Sequence, residues 1–372
     1  MLSYWEKVSY TKGLQDVVIG GGIVGLFTAL YLRRKHPSRR VLVIEGQEIG
    51  SGASSRNAGF ACFGSASEII SDLKVLDQNL ATNLIRMRWE GLANLRQELG
   101  DEGVGFRPVG GYELFREQDL NSFHECVQRL DELNKLVQSA IGHEVYKIGS
   151  KQESFNGQSK FIGSIENQLE GSVDTGKMMW NLKMLCLREG VEVITGSKIH
   201  SVSIQNDRAS FHWLDADVYP ERLFVCTNGF TKSLLPNLDV KPARNQVIVT
   251  TPLKNPIPKG TFHVDEGFVY FREVDTRILI GGFRNVALND EFTMDRGLTD
   301  QIQLKLTSFV SEYLTDETFK VDHAWSGTMG VSDVKMPIIE QHCSNLFVGV
   351  RMGGMGVAIG SLVGKQLADL AR

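Results

Sequence analysis

The sequence contains few cysteines and no excess of charge of either sign. Its five cysteines are far apart in the 372-residue chain and include no CxxC pair, and its eight histidines form no HExxH spacing. Neither a disulfide framework nor a zinc site is expected, and no metal site is predicted. The formal net charge of −4, from 40 basic and 44 acidic residues, predicts no cationic face for nucleic acid.

Long hydrophobic runs are also missing from the sequence. No apolar run reaches the ~18 residues that cross a bilayer, and the first fifteen residues lack the apolar core of a signal peptide. With its scattered thiols, the sequence predicts a cytoplasmic protein without a transmembrane segment. A hydrophobic content of 42% excludes disorder as the main state, and chains longer than ~250–300 residues usually form two domains.

Glycine, by contrast, is abundant, with 38 residues, and several glycines stand between strand and helix patterns. Apolar runs at 16–19 and 41–44 predict buried strands, and the apolar spacing at 23–34 predicts a helix between them. This order is typical of a βαβ unit. Further helices are predicted at 76–99, 119–141, 177–188, 299–313 and 357–371, further strands at 191–194, 199–204, 210–213, 223–226, 246–251, 268–272, 278–282 and 346–350, a loop at 49–67 and a polar gap at 149–160.

The first strand-to-helix turn fits the pattern GxGxxG, with Gly20, Gly22 and Gly25 in the glycine positions. These glycines allow a tight turn, close approach of the backbone to a pyrophosphate and close helix packing. Glu45 ends the next strand, where a carboxylate accepts hydrogen bonds from a ribose. The pattern predicts a dinucleotide site, with a structural glycine turn as the alternative. The basic residues at 33–40 would suit a ribose 2′-phosphate, but we favour solvated cations at a helix C-terminus.

Two further glycine-rich segments suit a ligand. The loop at 50–59 is built from small residues and carries Ser54, Ser55 and Asn57, which can form hydrogen bonds; an ordinary flexible loop is the alternative. The glycines at 353–356 again separate a strand from a helix, whose N-terminus would place positive potential at a ligand that becomes anionic, as a reduced flavin does. A structural turn is the alternative there.

These segments carry a family resemblance that extends nearly from end to end. The chain resembles the FAD-dependent oxidoreductases of the D-amino-acid oxidase (DAO) superfamily, which includes glycine oxidase, sarcosine oxidase and γ-glutamylputrescine oxidoreductase. The resemblance rests on VVIGGGIVGL, VIEGQEIGSGASSRNAGF, VDTGKMMWNL, FVCTNGFTKSLLP, ILIGGF, WSGTMGVSDVKMPII and GVRMGGMGVAIG. It implies an α/β fold with a Rossmann-like FAD-binding domain of the glutathione-reductase type and an inserted, mixed-sheet α+β substrate domain.

The resemblance also implies domain boundaries and a cofactor site. The FAD-binding domain is expected to be discontinuous, over 14–80, 165–235 and 325–372, with the substrate domain over 81–164 and 236–324. The residues expected to bind FAD are Gly20, Gly22, Ile23, Gly25, Glu45, Gly46, Ser54, Ser55, Arg56, Asn57, Ala58, Ile199, Thr227, Asn228, Gly229, Arg351, Gly353, Gly354, Met355 and Gly356.

The chain departs from its relatives at positions that bear on chemistry. The segment WSGTMGVSDV lacks the cysteine through which sarcosine oxidases attach flavin, and Asn57 stands where dimethylglycine dehydrogenases attach it through histidine, so non-covalent FAD is expected. Leu279 falls near an oxygen-activating lysine of sarcosine oxidase, which weakens the case for an oxidase. Met329 falls near the arginine that holds the amino-acid carboxylate, so a simple α-amino acid requires another cation.

Candidate residues on the substrate side are Arg351, Tyr270 and Arg272, with Arg284 as a further cation beside the predicted sheet. Any of the three arginines could bind an anionic substrate group, although each could also be a solvated or structural arginine. Tyr270 could line the pocket or pack in the core.

The function predicted on this basis is oxidation of a C–H bond next to an amine, in an amino acid or a secondary or polyamine. Hydride transfer to flavin N5 would give an imine that hydrolyses, and oxygen or a quinone or other carrier would accept the electrons. One alternative is an FAD-dependent 2-hydroxy-acid dehydrogenase, since the scaffold supports that chemistry too. The others are a non-catalytic flavoprotein subunit and, less favoured, a nicotinamide dehydrogenase.

Overall fold

The computed structural model describes residues 2–50, 52–149 and 160–371, so most of the predicted polar gap lies outside the described residues. The helices are α1 (Tyr4–Thr11), α2 (Ile23–Lys35), α3 (Ala53–Arg56), α4 (Ala66–Leu73), α5 (Gln78–Val104), α6 (Leu120–Gln128), α7 (Leu130–Ile141), α8 (Thr175–Arg188), α9 (Asp300–Phe309) and α10 (Gly356–Leu370).

The strands belong to two larger sheets and two small ones. They are β1 (Asp16–Ile19), β2 (Val41–Ile44), β3 (Phe60–Ala61), β4 (Gly111–Arg116), β5 (Tyr146–Gly149), β6 (Phe161–Asn167), β7 (Gly171–Ser172), β8 (Glu192–Ile194), β9 (Val202–Gln205), β10 (Arg208–Trp213), β11 (Ala216–Val218), β12 (Arg222–Val225), β13 (Lys241–Thr250), β14 (Thr261–Val264), β15 (Val269–Val274), β16 (Arg277–Gly282), β17 (Val321–Val331), β18 (Ile338–Cys343) and β19 (Leu346–Val350).

The first sheet has six strands in the order β18-β19-β12-β1-β2-β8. All of its pairings are parallel except that of β18 at the edge. The apolar runs of β1, β2 and β19 are buried along their whole length, as expected for parallel strands covered on both faces. Helix α2 connects β1 to β2 and packs against α10 and α8. The predicted βαβ unit is confirmed.

Small residues allow helix α10 to pack closely against its neighbours. A Cβ atom on Gly364 would lie 2.8 Å from the carbonyl oxygen of Val24 in α2, and one on Gly91 in α5 would lie 2.0 Å from that of Ala358. The hydroxyl of Ser361 donates to the Gly91 carbonyl over 2.6 Å. Helices α2 and α10 therefore pack nearly backbone to backbone.

The second sheet has eight strands in the order β17-β13-β16-β15-β14-β4-β6-β5. Its pairings are antiparallel except for that between β14 and β4. The predicted α/β class with a mixed second sheet is confirmed. Strand β17 begins at Val321 and pairs with β13, so this sheet extends across the boundary predicted at 325.

Several elements differ from the sequence-based expectations. The segment predicted as a loop at 49–67 contains α3, β3 and the start of α4. Strands β4, β6, β14, β17 and β18 were not predicted, because their patterns of alternation are short or interrupted by glycine and charged residues. Helix α1 was also missed; its capping box, in which Ser3 accepts from the Glu6 amide, is a recognisable start signal.

Two buried glutamates hold the segment that leads into α4. Glu170 accepts hydrogen bonds from the amides of Phe63 (2.9 Å) and Gly64 (3.3 Å), and Glu113 accepts from the amide of Ser67 over 3.0 Å. Burial raises the pKa of Glu170 to about 8 and that of Glu113 to about 7. Each carboxyl group therefore keeps its proton to a higher pH in the folded protein than in the unfolded chain.

We predict that Glu170→Gln stabilises the protein increasingly as pH rises from 4.5 to 8. The folded protein holds the Glu170 proton up to about pH 8, whereas the ordinary pKa is 4.5, so the wild type loses stability across this window. Glutamine keeps a carbonyl acceptor and avoids the charge. The expected gain is roughly 1–4 kcal/mol at pH 8 and near zero at pH 4, measured by denaturant unfolding.

The control for this prediction is Glu117→Gln, which changes an exposed glutamate. It should show no comparable pH-dependent gain. A gain of Glu170→Gln that is the same at every pH would contradict the prediction.

Candidate functional site

A cavity of about 380 Å³ lies between the two larger sheets. Its walls come from the N-terminal ends of α2 and α10, from α3 and the segment after it, and from strands of the eight-stranded sheet. One end is formed by glycine turns and the other by polar side chains. Because the N-terminal amides of a helix carry positive potential, two such ends favour an anionic or electron-rich ligand.

The glycine turn after β1 has the geometry that its sequence predicts. Gly20 has φ +108°, and a Cβ atom on it would lie 2.7 Å from the Cys226 carbonyl oxygen. A Cβ atom on Gly25 would lie 1.9 Å from the Gly20 carbonyl oxygen. The amide of Ile23 donates to Ser54 Oγ over 3.0 Å, which joins α3 to the start of α2. The turn therefore exposes backbone where a side chain would block it.

Glu45 lies beside this turn, at the end of β2. One carboxylate oxygen accepts from the Gly21 amide over 2.7 Å, and the other accepts from the Gln47 amide over 3.1 Å. Gly46 lies close to Lys198, because a Cβ atom on this glycine would be 3.5 Å from the Lys198 Cα. Ile199, the next residue in the chain, is buried. The residues predicted to hold an adenosine thus lie together.

The C-terminal glycine turn also lines the cavity. The side-chain oxygen of Asn228 accepts from the amides of Arg351 (3.1 Å) and Met352 (3.2 Å), which fixes the backbone before the turn. Among the described residues, a Cβ atom on Gly353 would meet nothing within 4 Å, and one on Gly354 would meet only Met329 Sδ at 4.0 Å. The described part of the chain therefore leaves space beside these glycines.

The segment at 52–58 is held by hydrogen bonds. Asn57 donates to the Ser54 carbonyl (2.8 Å) and accepts from the Gly59 amide (2.9 Å) and the Thr175 hydroxyl (2.8 Å). Arg56 donates to the Ser326 carbonyl over 2.9 Å. This part of the predicted loop is therefore fixed against α8 and β17, unlike the flexible loop that was the alternative.

Other predicted cofactor residues make contacts within the protein. The Ser55 hydroxyl donates to the Gly50 carbonyl, and the hydroxyls of Thr227 and Thr231 are 2.9 Å apart. A Cβ atom on Gly229 would lie 2.3 Å from the carbonyl oxygen of Met329, so the 3₁₀ turn Asn228–Ser233 and strand β17 meet closely there. Ala58, Met355 and Gly356 line the cavity.

Two of the predicted substrate-binding arginines donate to protein acceptors. Arg272 donates to the carbonyl oxygens of Ala58 (2.7 Å) and Val173 (3.2 Å), and burial lowers its pKa to about 10. Arg351 donates to the Met336 carbonyl and to the Asp239 carboxylate, both over 2.8 Å. Both guanidinium groups join separate segments of the chain.

Tyr270 and Arg284 have polar groups available to a ligand in the cavity. Tyr270 lies over Gly281, where a Cβ atom would be 2.6 Å from its hydroxyl, and that hydroxyl accepts from Asn245 Nδ2 over 3.1 Å. Asn245 Oδ1 is buried and has no partner among the described residues. Arg284 lies 6.0 Å from the Phe292 ring, and the described residues offer its guanidinium no hydrogen bond or ion pair. Burial lowers its pKa.

The sequence did not predict that His263, Glu68 and Arg88 would line the cavity together. His263, in β14, faces the cavity beside Glu68 of α4 and Arg88 of α5, and Glu68 forms a 3.0 Å ion pair with Arg88. Burial lowers the pKa of His263 to about 4. The available signal was that His263 interrupts the apolar strand Thr261–Val264.

Comparison with known proteins gives a family match. A model of the family "DAO: FAD dependent oxidoreductase" matches residues 17–370. The protein belongs to the DAO family of FAD-dependent oxidoreductases. The predicted resemblance is thus confirmed.

Relatives in the DAO family match most of the chain at low identity. The "Probable oxidoreductase OrdL" of Haemophilus influenzae is 21% identical, with 95% of this chain and 81% of that protein covered. The γ-glutamylputrescine oxidoreductase of Escherichia coli is 23% identical, with 95% and 83% covered. The crystal structure of L-proline dehydrogenase from P. horikoshii superposes with a TM-score of 0.76 at 16% identity, with 97% of this chain and 94% of that one covered. This superposition shows that the chain has the same fold as L-proline dehydrogenase.

The two glycine turns and the residues beside them suit the cofactor of the DAO family. The glycine turn at the start of α2, together with Glu45, suits the adenosine and pyrophosphate. The free space beside Gly354 and the N-terminus of α10 suit a flat, electron-rich ring. The described part of the chain contains no group of three His, Cys, Asp or Glu side chains that could bind a metal ion. None of its helices is both long and apolar enough to cross a bilayer.

We predict that Gly354→Leu weakens FAD binding roughly 5- to 150-fold without unfolding the protein. The leucine side chain would enter the space beside Met329 Sδ, and overlap of this kind costs ~1–3 kcal/mol. The measurement is FAD affinity by fluorescence quenching, with circular dichroism as the test of folding.

Gly176→Leu serves as the matched control, because Gly176 is an exposed glycine in α8. FAD affinity should be unchanged in this variant. Wild-type affinity in Gly354→Leu would show that the cofactor ring lies elsewhere.

Proposed function

We propose that the protein oxidises the C–H bond next to the nitrogen of an amino acid or N-substituted amino acid with a free carboxylate, using non-covalent FAD. The observation that carries this proposal is the group formed by Tyr270, Asn245 and Arg284. It lines the same cavity as the turn at Gly353 and Gly354. The names of the compared γ-glutamylputrescine oxidoreductase and L-proline dehydrogenase also point to amine and amino-acid substrates.

The carboxylate of such a substrate would bind Arg284 and the Tyr270 hydroxyl. The hydroxyl accepts a hydrogen bond from Asn245, which leaves its own proton for the substrate. Burial raises the pKa of Tyr270, so the group stays a donor at neutral pH. Arg284 supplies the cation that Met329 cannot. Its pair with the substrate carboxylate would be stronger in this partly buried site than in water.

The amine nitrogen would be oriented by Asn245. Its buried side-chain oxygen has no partner among the residues described, and an N–H group of the substrate would satisfy it. A neutral amine keeps the lone pair that drives expulsion of hydride. When bound, FAD accepts that hydride, and the resulting imine takes up water to give a carbonyl compound and a free amine or ammonia.

Three finer assignments complete the proposal. Non-covalent FAD is supported by Asn57, whose side chain is hydrogen-bonded to protein groups rather than free for attachment. An acceptor other than oxygen, such as a quinone or carrier, is supported by Leu279, which is buried among apolar side chains. A reducing compartment such as the cytoplasm is supported by the five cysteines, which are all unpaired.

The 2-hydroxy-acid dehydrogenase alternative requires a general base for the hydroxyl proton. His263 is neutral in the cavity, but its pKa of about 4 makes it a weak base at neutral pH. Amine oxidation requires no strong base and is therefore favoured. The cavity likewise favours an enzyme over a non-catalytic subunit, because the described residues leave the Arg284 guanidinium without a hydrogen bond or ion pair.

Anaerobic titration of the flavin band tests the reaction class. The panel contains glycine, sarcosine, proline, D-amino acids, γ-glutamylputrescine and 2-hydroxyglutarate. We expect bleaching by at least one amino compound that carries a carboxylate. Bleaching by 2-hydroxyglutarate alone would contradict the proposal, and readmission of air would separate an oxidase from a dehydrogenase.

We predict that Arg284→Met lowers kcat/KM for the bleaching substrate by roughly 30- to 1,000-fold. This range corresponds to a loss of ~2–4 kcal/mol, as expected when one partner of a buried charged pair is removed. Arg284→Lys should recover part of the loss, since it restores the charge without the planar fork. The measurement is steady-state kinetics with an artificial electron acceptor.

Arg208→Met is the matched control, because Arg208 is an exposed arginine at the start of β10, away from the cavity. It should leave kcat/KM unchanged. Equal activity in Arg284→Met and wild type would exclude Arg284 as the carboxylate anchor.

A further inference from the structure

The end of the cavity beyond Tyr270 contains polar atoms that nothing in the proposed reaction uses. His263 Nε2 and Arg88 Nε are both buried and lack a hydrogen-bond partner among the described residues. Both side chains line the cavity. Since buried polar groups are normally satisfied, two of them facing one cavity indicate a polar group of a ligand there.

The strand register places this group relative to the carboxylate anchor. His263 is directly opposite Tyr270 across β14 and β15, and Tyr270 is directly opposite Gly281 in β16. The three positions therefore share one face of the sheet. The Phe60 ring lies 5.1 Å from the His263 ring and 5.6 Å from the Tyr270 ring, so it forms an apolar floor between them.

Distances along this row limit the length of the ligand. The Tyr270 hydroxyl lies over Gly281, two strand spacings or about 9–10 Å from β14. A ligand with a polar group at each end and a short carbon chain between them would lie along this row.

Charge balance selects the kind of distal group. Glu68 and Arg88 form an ion pair and neutralise each other, and Lys335 is paired with Asp72. A distal ammonium would be repelled by Arg88, and a distal carboxylate would be repelled by Glu68. An uncharged group with both a donor and an acceptor complements Glu68, Arg88 and neutral His263 without breaking the pair.

We propose that His263, Glu68 and Arg88 form a specificity subsite for a neutral carboxamide or amide group at the distal end of the substrate. This inference rests on the proposed function, which places the substrate carboxylate at Arg284. Arg88 donates to the amide oxygen, and Glu68 or His263 accepts from the amide nitrogen. The three residues discriminate among substrates and take no part in hydride transfer.

The test uses three unreactive acids with the FAD-loaded protein. The acids are 4-carbamoylbutanoate, glutarate and pentanoate, which share a five-carbon chain and differ only in the distal group. Binding is followed by the shift of the visible flavin spectrum and by the rise in the midpoint of thermal unfolding. We expect 4-carbamoylbutanoate to bind about tenfold more tightly than either of the others, since one buried hydrogen bond is worth about that factor.

Two variants test the subsite separately. His263→Phe keeps a ring against Phe60 and removes the nitrogen atoms, so the preference for the carbamoyl acid should fall several-fold. Glu68→Gln leaves Arg88 without its counter-charge, so the preference should move towards glutarate. His323→Phe is the matched control, because His323 is 70% exposed on β17 and outside the cavity; it should keep the wild-type order.

The outcomes separate this inference from the proposed function. Equal affinities for the three acids, or an order unchanged in both variants, would overturn the amide subsite while leaving the anchor intact. Carbamoyl preference that persists with full affinity in Arg284→Met would support the subsite and contradict the anchor. Binding of none of the acids would overturn both.

Discussion

Close packing between α2 and α10 is the constraint on which the site depends. Each helix begins at a glycine turn, and the two helices approach nearly backbone to backbone because Gly364 leaves room for the Val24 carbonyl. A longer side chain at that position would force the helices apart. Since both N-termini face one cavity, this contact brings two regions of positive potential to the same ligand. The cofactor site is thus a consequence of helix packing as much as of the glycine motif.

The second sheet contributes the substrate side of the cavity through a single row of positions. Gly281 removes one side chain from this row, and the Tyr270 ring occupies the space and reaches Asn245. His263 continues the row on the other side. Polar groups therefore lie at two positions along the row, with the apolar Phe60 ring between them. This arrangement suits a substrate with a polar group at each end.

The sequence predicts the cofactor half of the molecule well because local rules apply there. A GxGxxG turn between a strand and a helix, followed by an acidic strand end at Glu45, depends on residues near one another in the chain. The substrate half depends on strand pairings between distant segments, so periodicity could not show that His263 would face Tyr270. Nor could it show that Arg272 would be held by backbone carbonyls while Arg284 has no hydrogen bond or ion pair among the described residues.

The most direct test of this account is a crystal structure of the protein with FAD and 4-carbamoylbutanoate. The account predicts the pyrophosphate at the turn from Gly20 to Gly25 and the flavin ring beside Gly354. It predicts the ligand carboxylate within hydrogen-bond distance of Arg284 and the Tyr270 hydroxyl. A flavin ring outside the cavity, or a carboxylate bound by another cation with Arg284 directed to solvent, would contradict it.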